Sequence, residues 1–177
     1  MMSHISSNWE PLITNRIERN RIKGKIDEIY LNVNNSIKNS KGFSLYFEAS
    51  GLLLFLAYYQ MIYGEYKQKK SDSVNLIAKS LIDRACLCKV ERLSDISRFS
   101  ELGILINHLH QKGCLSGSIH DICKDMDNVL INVVPRLADC YLFDLMSGIV
   151  SIGLYYCQRY NNDSHRFKPH LKPFSYI

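Results

Sequence analysis

The sequence repeats one pattern three times along its 177 residues: a short turn of small residues followed by a strongly apolar segment. The turns begin at Glu48, Ser100 and Gly148, so successive copies lie about 50 residues apart. This length holds two helices with their connections, and such a hairpin buries its apolar faces only against neighbouring copies. The spacing therefore predicts an all-α protein built from stacked helical hairpins.

Amphipathic and apolar helices alternate in the predicted order. The amphipathic segments cover 16–39, 74–85 and 118–140, and the apolar segments cover 49–66, 100–111 and 147–160. Helices of the first kind suit an outer layer and those of the second kind an inner layer, because an inner helix is covered on most sides. The alternation predicts two concentric layers, the arrangement of an α/α toroid.

Three local signals refine these helices. The run Ser71 to Ser73 is predicted to cap the helix that follows it, because serine and aspartate oxygens accept hydrogen bonds from the first N–H groups. Gly113 is predicted to end the helix before it in a left-handed conformation. Pro135 is predicted to kink or divide the helix over 118–140, because proline lacks the N–H that an interior turn needs.

Composition and charge narrow the classes of protein. The net charge of +5 is scattered, and its densest run, at Lys67, Lys69 and Lys70, suits a solvated helix end rather than a nucleic-acid interface. The longest apolar segment, 52–63, has about 12 residues, whereas a membrane span needs about 20. No signal peptide opens the sequence, so we expect a cytoplasmic protein with its six cysteines reduced.

Candidate metal ligands are few and scattered. The pairs Cys86 with Cys88 and His120 with Cys123 have suitable spacing, but a structural zinc site needs four ligands, and a metal here is not expected. His108 and His110 should point in different directions, because they are two positions apart on a helix. The tyrosines of the second helix have a helical spacing that indicates packing rather than ligand stacking: Tyr58, Tyr59, Tyr63 and Tyr66.

The segment FDLMSGIVSIGLYY, from Phe143 to Tyr156, resembles the repeat signature of the lanthionine synthetase C-like (LanC cyclase) family. In that signature an aromatic-Asp-Leu run precedes a Gly-x-x-Gly-x-Gly turn. SLYFEASGLLLFLAYY from Ser44 and RFSELGILINHLHQKGCL from Arg98 are similar to earlier repeats of the family. The resemblance covers most of positions 10 to 160. We expect one domain over 1–160, followed by a basic, poorly ordered tail over 161–177. Four glycines mark the repeat turns: Gly51, Gly103, Gly148 and Gly153.

The resemblance implies a function in peptide modification. Members of the family form a toroid of seven hairpins around a zinc ion and add a cysteine thiol to a dehydrated Ser or Thr of a peptide, as in lanthipeptide biosynthesis. Asp144 matches the family aspartate that lies at the lumen and is implicated in activating the attacking cysteine. The other interpretation of Asp144 is a cap for the helix that begins near Ser147.

The resemblance also implies that this chain is incomplete. The family's zinc ligands, a Cys and then a Cys-His pair, belong to later repeats, so we expect about three of the seven hairpins and no zinc held by this chain alone. A peptide substrate and a partner that completes the ring are expected, either a second copy in a homodimer or a different polypeptide. The alternatives are a noncatalytic helical scaffold or peptide-binding module, and a remnant without activity.

Overall fold

The computed structural model describes residues 13–37, 39, 48–63, 71–87, 93–144 and 148–162. Within these ranges the protein is all-helical. Every helix described is too short or too polar to span a lipid bilayer. The six helices are α1 (Arg16–Ser36), α2 (Ala49–Tyr63), α3 (Ser71–Leu87), α4 (Leu93–Gln111), α5 (Ile119–Asp139) and α6 (Ile149–Asn162).

The helix bounds follow the predicted ones except in α4. This helix begins at Leu93, seven residues before the predicted start, so Ser100 and Gly103 lie inside it and not in a turn that precedes it. Inside this helix the Ser100 hydroxyl donates to the carbonyl of Ile96, one turn earlier, at 2.9 Å, so the serine side chain is satisfied by its own helix. The first and third repeat turns do lie at helix starts, since Gly51 is in the first turn of α2 and Gly148 directly precedes α6.

Pro135 does not divide α5, so that part of the prediction is wrong. The helix runs unbroken from Ile119 to Asp139 with the proline inside it. The proline removes one backbone hydrogen bond, but Leu130, Val134 and Leu137 remain buried on both sides of it. Packing of this apolar stripe holds the helix together across the position where propensity alone favours a break.

The local prediction for Gly113 is confirmed, and α5 begins with a serine cap. Gly113 ends α4 with a φ of +72°, the left-handed conformation that favours glycine. The side chain of Ser118 caps α5 by accepting a hydrogen bond from the N–H of Asp121. α3 begins at Ser71, but the side chains of Ser71 and Asp72 lie outside the described ones, so the predicted cap stays a prediction.

The three apolar helices lie side by side. α4 packs against both α2 and α6, and we call these three helices the signature row because each carries one of the repeated apolar segments. α3 and α5 pack against each other and against the row, and α1 packs against α2. The core lies between the row and the α3–α5 pair, where the apolar stripe predicted for α3 is buried except for half-buried Ile77.

Hydrogen bonds within the signature row join residues that are one repeat apart. Each bond links side chains separated by 50 or 51 positions, which is the spacing of the sequence repeat. The later of the two α4 positions, Asn107, pairs with the later α6 position, Gln158, so α4 and α6 run parallel. The bonds join Tyr58 to His108 at 2.8 Å, Ser100 to Ser151 at 3.0 Å and Asn107 to Gln158 at 3.5 Å. Successive hairpins are therefore stacked in register, as in a helical repeat protein.

Candidate functional site

A cavity of about 530 Å³ opens on the signature row, and we call it the row cavity. Its lining side chains come from all three helices of the row. Positions four apart share a helix face, so Leu54 with Tyr58 on α2 and Ile104 with His108 on α4 project to the same side. The lining residues are Leu54, Tyr58, Ile104, Leu105, His108, Gln111 and Gln158.

Tyr58 and His108 form the polar centre of the row cavity. The Tyr58 hydroxyl lies 2.8 Å from Nε2 of His108, and both side chains are half-buried. Their rings are 6.0 Å apart between centroids and tilted by 30°. Because one nitrogen of the imidazole is held by the tyrosine, a ligand in the cavity would meet Nδ1 or the second hydrogen-bonding position of the hydroxyl.

The rest of the cavity is uncharged. Gln158 accepts a hydrogen bond through Oε1 from Nδ2 of Asn107, which turns its own amide nitrogen away from that contact. Along the same face of α6, Leu154 is 47% exposed one turn before Gln158, and Val150 is 41% exposed two turns before it. These two side chains form a short exposed apolar strip on α6, the helix that also supplies Gln158 to the cavity.

A buried ionic network joins α5 to α6 behind the row. Asp127 accepts hydrogen bonds from the Tyr155 hydroxyl at 2.5 Å and from the Arg159 guanidinium at 2.9 Å. The Tyr156 hydroxyl donates to the backbone carbonyl of Asp127 at 2.5 Å. Burial raises the pKa of both tyrosines, so their hydroxyls keep their protons and remain donors at neutral pH. This network has no open face, and its chemistry is that of a structural tie between two helices.

Cys123 lies beside this network and is fully buried. Burial raises the pKa of its thiol to about 12, so the thiol is protonated at neutral pH and is a poor nucleophile. Burial also raises the pKa of Cys86 to about 11. All five cysteines in the described ranges are thiols, and Cys140 and Cys157 are the exposed ones.

A second hollow of about 520 Å³ lies between α3 and the start of α5. Asn75 fixes one wall, because its amide donates to the hydroxyl of Ser116 at 2.8 Å and accepts from the Ser116 N–H at 3.0 Å. Three aspartates and one lysine lie around the rim. They make this hollow acidic, whereas the described lining of the row cavity contains no Asp, Glu, Lys or Arg.

The repeat glycines have two kinds of surroundings. A Cβ built on Gly103 would overlap the ring of Tyr155 and the end of Met126, so a side chain here would separate α4 from α6. A Cβ on Gly148 would overlap backbone atoms of Leu142 and Asp144 in the turn before α6. Gly51 and Gly153 are half-buried in α2 and α6. The two tight glycines thus set close backbone approaches, one between helices and one within a turn.

Asp144 lies in the turn before α6, exposed to solvent. Its backbone carbonyl accepts a hydrogen bond from the N–H of Gly148 at 2.9 Å, which places it one turn before the start of the helix. It is not among the described residues that line the row cavity. Its predicted roles, activation of a cysteine or capping of α6, both stay predictions.

The histidines separate as the sequence predicts. His108 bonds to Tyr58, whereas Nε2 of His110 lies 3.0 Å from the carbonyl oxygen of Gly117, in the loop after α4. His120 is half-buried and Cys123 is buried on α5, and Cys88 lies outside the described residues. Among the described residues, no three His, Cys, Asp or Glu side chains are grouped as a metal ion would require. The described residues therefore do not provide the ligands for the zinc that the family resemblance implies.

The tyrosines of α2 pack as predicted. Tyr59 stacks on Tyr30 of α1 with ring centroids 4.0 Å apart, and its hydroxyl donates to Asp27 at 2.6 Å. The Tyr59 and Tyr63 rings are 5.1 Å apart, whereas Tyr66 lies outside the described residues, as do the lysines of 67–70. These contacts hold α1 against the rest of the protein.

Sequence reasoning missed the Asp127–Arg159 network. The available signal was the position of Asp127 inside the apolar stripe of α5, between Met126 and Leu130, because a carboxylate at a core position needs a buried partner. The pairing of Tyr58 with His108 was also missed, because the spacing of Tyr58 was taken to indicate packing alone. Their separation of 50 positions, equal to the repeat, was the signal that places them together.

Comparison with known proteins finds no matching family model, no matching curated protein and no matching solved structure.

Proposed function

We propose that this chain is a lanthionine synthetase C-like protein that binds a peptide on the signature row and works with a partner that completes an α/α toroid. The observation that carries the proposal is the register of the row. Its three helices hold the three signature segments and are bonded to one another at separations of 50 and 51 residues. Repeat proteins of this architecture present their equivalent helices on one continuous surface, where they bind extended ligands.

The peptide surface is the row cavity with the apolar strip beside it. A peptide brings both apolar side chains and backbone amides, and the cavity offers Leu54 and Ile104 for the former and Gln158 and His108 for the latter. Val150 and Leu154 extend the apolar surface along α6. Together they provide the mixed lining, mostly apolar with a few placed polar groups, that ligand sites share.

The position of α6 at the end of the signature row supports the proposal of a partner. Among the described helices α6 packs against α4 and α5, so it has one neighbour in the row, whereas α4 has two. The strip formed by Val150 and Leu154 lies on this terminal helix. A further hairpin from a second copy or a different polypeptide would continue the stack, as each hairpin in the chain does for the one before it.

The reaction that the resemblance implies adds a cysteine S–H across the double bond of a dehydrated residue. Sulfur bonds to Cβ and a proton reaches Cα, so the peptide loses one thiol and keeps its mass. The zinc that serves as the thiolate-binding group in the family has no matching ligand set among the described residues. The proposal therefore assigns peptide binding to this chain, with Asp144 as the one residue of its own assigned to the reaction.

Thiol counting tests the cyclase part of the proposal. A peptide with one cysteine and one dehydroalanine is incubated with the chain, with and without zinc and the candidate partner. The peptide is then alkylated, and its mass is measured by mass spectrometry. Cyclised peptide resists alkylation and shows the unmodified mass. We expect cyclisation only with partner and zinc present, and its loss in Asp144→Asn, with Asp139→Asn, another exposed aspartate, as the matched control.

The second candidate is a noncatalytic peptide-binding module, which the lining of the row cavity favours because its described residues include no Cys, Ser, Asp or Glu. Binding of the same peptide without cyclisation, in the presence of zinc and every partner tried, would support this candidate over the first. Absence of peptide binding under all these conditions would contradict both.

A further inference from the structure

We propose that the row cavity holds one bulky, uncharged side chain of the peptide, aliphatic or aromatic, while Gln158 and His108 hydrogen-bond the peptide backbone next to it. This inference rests on the proposed peptide binding and adds which peptides are chosen. It follows from the size, the charge and the hydrogen-bonding groups of the cavity.

The row cavity is large enough for one bulky side chain with its adjoining backbone. Its volume of about 530 Å³ lies within the range of about 300 to 1,000 Å³ typical of ligand sites. Leu54 on α2 and Ile104 on neighbouring α4 supply apolar walls, and the Tyr58 ring adds an aromatic wall. A small side chain such as alanine would leave most of this apolar surface uncovered, so it would gain little from entering.

The lining carries no fixed charge, because it contains no Asp, Glu, Lys or Arg among the described residues. A charged peptide side chain that entered would lose its water without gaining an ion pair. The acidic hollow beside α3 shows the contrast, since Asp83, Asp121 and Asp125 lie around it. Basic side chains would thus be drawn away from the row cavity to other parts of the surface.

The polar groups of the row cavity match a peptide backbone. Gln158 has its Oε1 held by Asn107, which leaves the amide nitrogen as a donor for a peptide carbonyl. His108 has Nε2 held by Tyr58, which leaves Nδ1 for a second contact. Both groups are held by a hydrogen bond from a neighbouring helix, so they bind the backbone with little loss of side-chain freedom.

A host peptide tests the inference. Nine-residue peptides of Gly, Ser and Ala, blocked at both ends and carrying a fluorophore, hold Phe, Leu, Ala, Lys or Glu at the central position, and binding is followed by fluorescence anisotropy. We expect Phe and Leu to bind at least about tenfold more tightly than Ala, and Lys and Glu to bind no more tightly than Ala. Equal affinity for all five peptides would overturn the inference and leave peptide binding intact.

A charge placed in the cavity tests its location. Leu54→Lys puts an ammonium group into the row cavity from a half-buried position, where the long side chain can still reach water. We expect this variant to lose the preference for Phe and to bind the Glu peptide about tenfold more tightly than the Lys peptide. Leu76→Lys is the matched control, because Leu76 is 68% exposed on α3 and outside the cavity.

The outcomes separate the two proposals. If Leu54→Lys and Leu76→Lys change the peptide preference equally, the row cavity is not the anchor site and the inference fails. If none of the host peptides and no cysteine-dehydroalanine peptide binds, peptide binding fails and the inference fails with it. Circular dichroism spectra and thermal melts of both variants, compared with the unmodified chain, identify any loss of folding.

Discussion

The carboxylate of Asp127 on α5 and the guanidinium of Arg159 on α6 form a 2.9 Å ion pair in the interior of the protein. The Arg159 side chain is fully buried and that of Asp127 is 5% exposed. Burying such a pair costs hydration free energy that offsets much of the attraction between the two charges. Removing both partners therefore affects stability differently from removing one.

Asp127→Ala is expected to destabilise the protein strongly, because it leaves the Arg159 charge buried without its carboxylate. We expect a loss of about 3 to 5 kcal/mol in the free energy of unfolding, measured by urea denaturation. The double variant Asp127→Leu with Arg159→Met should recover a large part of this loss, because it removes both charges and keeps apolar volume. A double variant that is less stable than Asp127→Ala would contradict this assignment.

Gly103→Ala and Gly24→Ala form a matched pair with opposite expected effects. At Gly103 the added methyl overlaps Tyr155 and Met126, so α4 and α6 must move apart and we expect a loss of about 1 to 3 kcal/mol. At Gly24, on exposed α1, no described atom lies within 4 Å of the added methyl, and we expect a gain of about 0.5 to 1 kcal/mol. Thermal melts of the two variants measure both changes, and equal effects would refute the close approach at Gly103.

Cys123 should make the protein less stable at alkaline pH. Its ordinary pKa is 9.0 and its pKa in the fold is about 12, so the thiol is protonated in both states below pH 9. Between these values the unfolded chain ionises and the folded one does not, so the free energy of unfolding falls by up to about 1.4 kcal/mol per pH unit. Urea denaturation from pH 8.5 to 10 should show a smaller decline in Cys123→Ala than in Cys157→Ala, the control at an exposed position.

The same burial should protect Cys123 from alkylation. In the native protein we expect iodoacetamide at neutral pH to label exposed Cys140 and Cys157 within minutes, while Cys123 is labelled only when the protein opens. Peptide mapping by mass spectrometry after timed labelling gives the rates. Labelling of Cys123 as fast as Cys157 would show that the α5–α6 interface is open in solution.

Tyr59→Ala is expected to release α1 from the rest of the protein. No residue of α1 is buried, and its contacts with α2 include the Tyr30–Tyr59 stack and the hydrogen bond from Tyr59 to Asp27. Loss of both should speed amide hydrogen exchange in α1 by about tenfold or more and leave α4 and α5 unchanged. Tyr141→Ala, at a position that is 83% exposed, is the control and should alter neither region.

The signal for helices was strong in this sequence because apolar periodicity is a local property. The stripe from Val74 to Ala85 predicted α3, and Gly113 predicted the end of α4, since both depend on residues close in the chain. The predicted start of α4 was wrong, and so was the possible division of α5 at Pro135. Ser100 indicated a turn and Pro135 a kink or break, but both positions are helical. Packing of buried apolar residues beside them, Leu102 and Ile106 on α4 and Val134 and Leu137 on α5, outweighs these local signals.

The candidate site was harder to predict because its members are far apart in sequence. Tyr58, His108 and Gln158 lie about one repeat apart on three helices. The repeat predicted the order of these helices but not which faces of them meet. Cys123 was considered as a metal ligand, whereas burial beside Tyr155 makes it an inert thiol. The depth at which a side chain lies depends on how helices rotate against each other, and local periodicity does not fix that rotation.

The sequence by itself determined that the chain forms helices, that they recur in three hairpins and that apolar and amphipathic helices alternate. Those features arise from contacts within a few turns of one helix and from the copying of one unit. Only the tertiary structure decided that Asp127 meets Arg159, that Gly103 receives the ring of Tyr155 and that Tyr58 bonds to His108. Each of these pairs joins two helices, and their free energy depends on water being excluded when the helices pack together.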